Sequence, residues 1–95
     1  NSRKVKVNYG DIKWIEALGD YVKLVTEKSN HIVLSSMKAF EKKLPNSQFL
    51  RIHKSYIINL KRIENFTNTT VEVEGKRITL SRSRRDSFMN AIQTS

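Results

Sequence analysis

The stretch FLRIHKSYIINLKR, Phe49 to Arg62, decides how this chain is read. Apolar residues that belong in a core are interleaved with Arg51, His53, Lys54, Lys61 and Arg62, and no acid interrupts the run. In strict alternation Leu50, Ile52, Tyr56, Ile58 and Leu60 share one face of a strand, and Lys54 falls on that face in the middle. A buried, unpaired lysine is too costly to keep, so the alternation must break there. The arrangement that satisfies every residue is a strand, a tight corner at His53-Lys54-Ser55, and a second strand. A corner projects its side chains away from the core. His53 and Lys54 are then presented on a protruding loop between rigid apolar walls, a geometry suited to reading a ligand.

Composition says what kind of ligand. The chain has 95 residues, enough for one domain over residues 1–95 with a small core. Its 18 basic and 9 acidic residues give a formal charge of +9. Such an excess repels itself in the folded state and marks a polyanionic partner: nucleic acid first, an anionic membrane surface second. The absence of cysteine points to a reducing, cytoplasmic setting. No apolar run approaches the roughly 18 residues that span a bilayer. The opening NSRKVKVNYG lacks the apolar region of a signal peptide and reads as a cut between domains, so an upstream domain is expected.

Outward from the corner, the chain is mostly β. Period-two runs of four to six residues recur in KVKVNY, DIKWIEA, YVKLVTE, HIVLSS, SYIINL, RIENF, TVEVEG and RITLS. Gly19-Asp20, Lys28-Ser29-Asn30, Pro45-Asn46-Ser47 and Gly75-Lys76 supply turns. Two segments have helical spacing instead. SSMKAFEKKLP aligns Met37, Phe40 and Leu44 and stops at Pro45; SRRDSFMNAI aligns Phe88, Met89 and Ile92 behind a Ser83–Asp86 capping-box variant. Each is expected to run about three turns. Arg82, Arg84 and Arg85 stand at the start of the second helix, where cations oppose the helix dipole by roughly 0.3–1 kcal/mol each. Either Asp86 and solvent mask that cost, or the arginines meet phosphates or bases.

Catalysis finds little support. The two histidines, His31 and His53, are far apart in sequence, and His31 reads as an exposed turn residue. There is no nucleophile elbow, phosphate loop or His-Glu-x-x-His pair, and no cysteine for a structural zinc. No cofactor or metal is expected. The alternatives to a duplex reader are a non-specific RNA-binding module and a small basic ribonuclease that would pair His53 with His31 or Glu16. Single-strand binding needs exposed stacking aromatics, but Tyr9, Trp14, Tyr56 and the four phenylalanines read as core, with Tyr21 the main exception. A membrane-surface helix would need a longer basic amphipathic segment than the one carrying Lys38, Lys42 and Lys43.

The corner also carries a family pattern: Phe49, Arg51, His53, a basic or polar residue at Lys54, Ser55, an aromatic at Tyr56, and Asn59. FLRIHKSYIINLKRIE resembles the signature of the LytTR-type DNA-binding domain, the output module of bacterial LytR/AgrA-family response regulators. DIKWIEALGDYVKL, MKAFEKKLPNSQFLRIH and ITLSRSRRDSF resemble the flanking parts of the same domain, in order, across nearly the whole chain.

The resemblance implies an elongated sandwich of short antiparallel sheets with one or two short helices. It implies sequence-specific binding of double-stranded DNA by loops that enter successive major grooves and bend the duplex. The matching regions here are the loop from Gly19 to Lys23, the corner at His53-Lys54-Ser55, and the turn from Ser81 to Arg85. Lys54 falls where a base-reading side chain stands, and lysine suits guanine O6 and N7. Arg82 or Arg84 is the second base-reading candidate, Tyr21 or Lys23 the third; Arg85 belongs to the same basic turn. Arg51, Ser55 and Lys61 suit phosphates. His53 and Asn59 are expected to hold the corner in shape. The implied partners are paired repeat sites on DNA, an upstream receiver or other sensory domain, and a second copy on the same DNA.

Overall fold

The computed structural model describes residues 4–94, which form eight strands and two helices. In chain order these are β1 (Ile12–Leu18), β2 (Tyr21–Thr26), β3 (Asn30–Leu34), α1 (Met37–Lys43), β4 (Phe49–His53), β5 (Tyr56–Asn59), β6 (Ile63–Phe66), β7 (Thr70–Val73), β8 (Lys76–Thr79) and α2 (Arg85–Thr94). Short 3-10 turns occupy Tyr9–Asp11, Leu60–Arg62 and Arg82–Arg84. One sheet has the order β3-β2-β1-β5-β4 and the other β6-β7-β8, every pairing antiparallel.

Turn chemistry sets the register. Gly19 takes φ +60° at the first position of the two-residue β1–β2 loop, the placement a type II′ hairpin requires of glycine. At the β7–β8 loop both Glu74 and Gly75 have positive φ, +48° and +87°, the pattern of a type I′ turn that matches the strands' twist. The turn is therefore Glu74-Gly75, one residue earlier than its composition predicts, and Lys76 opens β8.

Two apolar layers hold the sheets. On one side of the five-stranded sheet, Ile12, Ile15, Val22, Leu24, Phe49 and Ile57 pack beneath Met37, Phe40 and Leu44 of the α1 region. On the other side, Ile52 and Ile58 meet Val71, Val73 and Ile78 of the second sheet, with Phe88, Met89 and Ile92 of α2 closing the layer. Leu50, Tyr56 and Leu60 join this second layer, so the predicted common face forms, with Lys54 alone leaving it. The described residues measure 44 × 23 × 22 Å, the elongated β sandwich expected.

Several local expectations are corrected. KVKVNY is not a strand over its described residues: it joins the ladder of neither sheet, and Tyr9 instead opens a 3-10 turn, donates its hydroxyl to the Lys43 carbonyl (3.2 Å) and meets the Phe49 ring edge-on. α1 spans seven residues, two turns, because the chain turns extended at Leu44 before Pro45; Ser36 caps it by accepting from Ala39 N at 3.0 Å. Ser83 sits inside the Arg82–Arg84 turn, not at a helix N-cap, so the capping box does not form. Tyr9 and Phe66, read as core, are exposed.

Candidate nucleic-acid interface

The corner is a β-hairpin whose two-residue loop is Lys54-Ser55, with His53 opposite Tyr56. β4 carries an irregularity between Arg51 and His53, which re-aims the strand end as bulges do. Three bonds fix the loop's main chain. Ser55 N donates to His53 Nδ1 (3.0 Å), which places the ring proton on Nε2 when the imidazole is neutral. Arg51 Nη2 donates to the Lys54 carbonyl (2.6 Å), and Ala17 N donates to the Ser55 carbonyl (2.9 Å). The Lys54 side chain is left exposed on a rigid base.

Arg51 is held from beneath. It lies on the same face of β4 as Phe49, toward α1, and Glu41 of that helix reaches its Nη1 at 3.4 Å. The run around the corner is thus partly neutralised by acids distant in sequence. Arg62 pairs with Glu27 and with Glu74 (2.9 Å) and donates to the Gly10 carbonyl, joining the start of β1, the β2–β3 end and the β7–β8 turn. The Arg62 hydrogen bond and charge hold the Glu27 carboxyl below the usual range, and Glu27 in turn raises the guanidinium. Neither role is visible in the local sequence, since each acid comes from another element.

The arginine turn docks beside the corner. Ser81 N donates to the Ile52 carbonyl (2.8 Å), so residues 80–81 run along the open edge of β4. Arg84 Nη1 donates to the Arg51 carbonyl (3.3 Å) and Arg85 Nε to the Asn68 carbonyl (2.8 Å), leaving both half-buried while Arg82 stands exposed. On the other side, Tyr21 is exposed directly after the Gly19-Asp20 turn. Lys23 is half-buried two residues further along β2, between Glu16 and Ile32.

These loops leave the same end of the molecule. β1 and β5 run antiparallel with Glu16 opposite Tyr56, so the Gly19-Asp20 and Lys54-Ser55 turns project together. Ile52 and Ser81 then carry the line across β4 to the arginine turn. Tyr21, His53, Lys54, Ser55 and Arg82, with Arg51, Arg84 and Arg85 behind them, form one rim.

Lys61 is not brought there. It lies exposed at the opposite end of β5, about 13 Å of strand away, its N–H bound to Asn59 Oδ1 (2.9 Å). Asn59 is buried at that same far end and donates to the Ile12 carbonyl (2.8 Å), tying β5 to the start of β1 rather than shaping the corner. His31 and His53 lie on the two outer strands of the five-stranded sheet, four spacings or about 19 Å apart, and Glu16 is occupied by the Trp14 indole (2.9 Å); no acid–base pair is assembled from them. Among the described residues no group of three or more His, Cys, Asp or Glu could hold a metal, and no helix is long and apolar enough to cross a membrane.

Such a rim, cationic and hydrogen-bonding, stands at the tips of a β sandwich. Known proteins give it a family. The model of the LytTr DNA-binding domain matches residues 2–93. The sensory transduction protein LytT of Bacillus subtilis (strain 168) is 31% identical over 85 residues, and that of Bacillus anthracis 29% over 85 residues. Each alignment covers 83% of this chain and 35% of the relative, so the chain spans about a third of their length. A solved structure described as a LytTr DNA-binding domain of a Bacillus cereus response regulator superposes with a TM-score of 0.82 at 24% identity, over 93% of this chain and 86% of that one. The chain belongs to the LytTR DNA-binding domain family.

Proposed function

We propose that this domain reads double-stranded DNA sequence-specifically, by side chains at the loop tips, as the output domain of a bacterial transcriptional regulator in a two-component system. The observation that carries the reading is the rim. From β2 across β1, β5 and β4 to residues 80–81 is four strand spacings, roughly 19 Å before the loops and side chains extend it. The B-DNA major groove is about 12 Å wide, so the rim is too broad for one groove and follows the duplex into the next. Lys54 and Arg82, exposed on fixed main chain, are the base-reading pair, each suited to guanine. Tyr21 is the third contact, since it stands at the turn while Lys23 is set back within β2. Ser55 meets phosphate beside Lys54. Arg51, Arg84 and Arg85 act as positioning residues, and His53 holds the loop. Lys61 is left as a contact to phosphate only where a bent duplex wraps toward the far end.

Full-length regulators of this kind would add an upstream receiver or other sensory domain, bind paired repeats as two copies, and work in the cytoplasm. Linking two such domains raises apparent affinity without any new contact. The test is selection from a random duplex library at physiological salt. A short enriched motif is the expected result. Retention without a motif, or a single strand competing as well as duplex, would reject sequence-specific reading.

A further inference from the structure

The line of main-chain bonds that builds the rim does not stop at the arginine turn. Leu80 N donates to the Thr69 carbonyl (2.8 Å), one residue beyond the Thr70–Thr79 pair, and continues the β7–β8 ladder. The β6–β7 loop, Thr67-Asn68-Thr69, therefore lies level with Leu80 and Ser81, on the side away from β4. Arg85 closes the contact by donating to the Asn68 carbonyl at 2.8 Å. The arginine turn is thus stapled on one side to the corner's strand, through Arg84, and on the other to this loop, through Arg85.

The loop is also ordered from within. Thr67 Oγ1 accepts from Thr69 N and from Thr70 N, both at 3.1 Å, and Thr67 N donates to the Thr70 carbonyl (2.8 Å). All three loop residues are exposed. They carry no charge of either sign, so nothing in the loop repels a polyanion, and they offer an amide and hydroxyls as hydrogen-bond donors. Both Arg85 and Thr67 are spent on holding the loop, and the Thr69 hydroxyl lies 3.4 Å from Thr67 Oγ1, which leaves the Asn68 amide as the main group the loop can offer.

We infer that the Thr67-Asn68-Thr69 loop is a fourth element of the DNA interface, in which the Asn68 amide, supported by Thr69, donates to the sugar–phosphate backbone at the end of the site just outside the Arg82 contact. The inference rests on the duplex-reading function proposed above and extends its footprint. A neutral donor hydrogen-bonds a phosphate oxygen without displacing a condensed cation, so this contact adds affinity but not salt dependence. It sets where the arginine turn sits along the duplex. The Arg85 bond uses the Asn68 carbonyl, so side-chain substitution at residue 68 leaves the staple in place.

The experiment compares the wild-type domain with Asn68→Ala, Asn68→Asp, Thr69→Ala and Lys54→Ala on the selected duplex, by anisotropy titration across salt and by a scan of single neutral methylphosphonate linkages. Thermal melting verifies that each variant folds. Asn68→Ala is expected to weaken binding about 3- to 10-fold with an unchanged salt slope and base preference, Asn68→Asp more strongly. One or two linkages at the outer end should stop mattering in Asn68→Ala alone. If Asn68→Ala keeps wild-type affinity and the full linkage pattern while Lys54→Ala weakens binding, the fourth contact is wrong and the reading by the other loops stands. A changed base preference in Asn68→Ala would overturn the backbone assignment in favour of a base contact. Absence of motif-selective binding by the wild-type domain would instead remove the duplex reading itself.

Discussion

Lys54 shows how one side chain can be left exposed by spending its neighbours. Its carbonyl is held by Arg51 and the next residue's amide by His53, so the exposed ammonium pivots on a fixed base. Lys54→Ala is expected to cost roughly 1–3 kcal/mol of binding and to relax base preference at one position of the site. Titrating the variant against the selected motif and its single-base changes measures both; uniform weakening across sequences would make Lys54 a phosphate contact. The break in alternation at this residue was legible in the sequence because burying a lysine is so costly. The inward turn of Arg51 was not, although its placement two residues from Phe49 points it toward α1, where Glu41 waits among lysines. Asn59 was singled out by the family pattern alone, and that pattern says nothing about which end of β5 it serves.

The elements follow period two wherever a strand has a neighbour to pair with. KVKVNY has the alternation but joins no ladder, so its apolar residues are used one by one: Val7 rests on the first apolar layer and Tyr9 on Phe49. Periodicity describes a face and cannot supply a partner. The second helix was legible from Phe88, Met89 and Ile92, which close the layer between the sheets, but its start was not, because the 3-10 turn at Arg82–Arg84 is set by the Ser81–Ile52 bond. Phe88 is fully buried and meets the Phe66 ring edge-on at a centroid distance of 5.1 Å. Phe88→Ala is expected to cost about 3–5 kcal/mol of stability, read as a lower melting temperature or denaturant midpoint. Since the same helix carries the arginine turn, DNA affinity should fall with it even below the melting transition.

At the scale of the whole molecule, charge is divided between two ends. Near Gly10 and the β7–β8 turn, Arg62 is consumed by Glu27 and Glu74, and Lys13 joins Glu74 at 3.6 Å. At the rim, Lys54 and Arg82 are exposed cations. If about five phosphates are neutralised over the whole footprint of the domain, log K should fall against log salt with a slope of roughly −4 to −5, and a slope near zero would reject the polyanion partner. The far end has its own signature. Glu27 is held below the usual carboxylate range when folded, so its stabilising contribution is present above the unfolded value of about 4.3 and is lost as the pH falls through that value toward the folded one. Melting temperature should therefore drop through this acid window, and Glu27→Gln should melt lower at neutral pH with a shallower acid decline. Parallel pH profiles for the two proteins would exclude the pair as a source of acid sensitivity. The sandwich and its polyanion partner were legible in the sequence, but the acids that quench Arg51 and Arg62 were not, because they arrive from other elements.

The main-chain bonds that hold the corner, from Ser81 N to the Ile52 carbonyl and from Ala17 N to the Ser55 carbonyl, are made by groups that every residue type except proline possesses. The side chains at positions 21, 54, 68 and 82 are exposed and sit outside both apolar layers. On the proposed reading, fold and target preference are encoded at separate positions, and a lineage can exchange one without endangering the other. Descendants of a duplicated copy would diverge in the sites they recognise through a few tip substitutions, with loop lengths unchanged. On that reading, positions 21, 54 and 82 are a natural library for directing the scaffold to a chosen sequence, with position 68 left to set affinity.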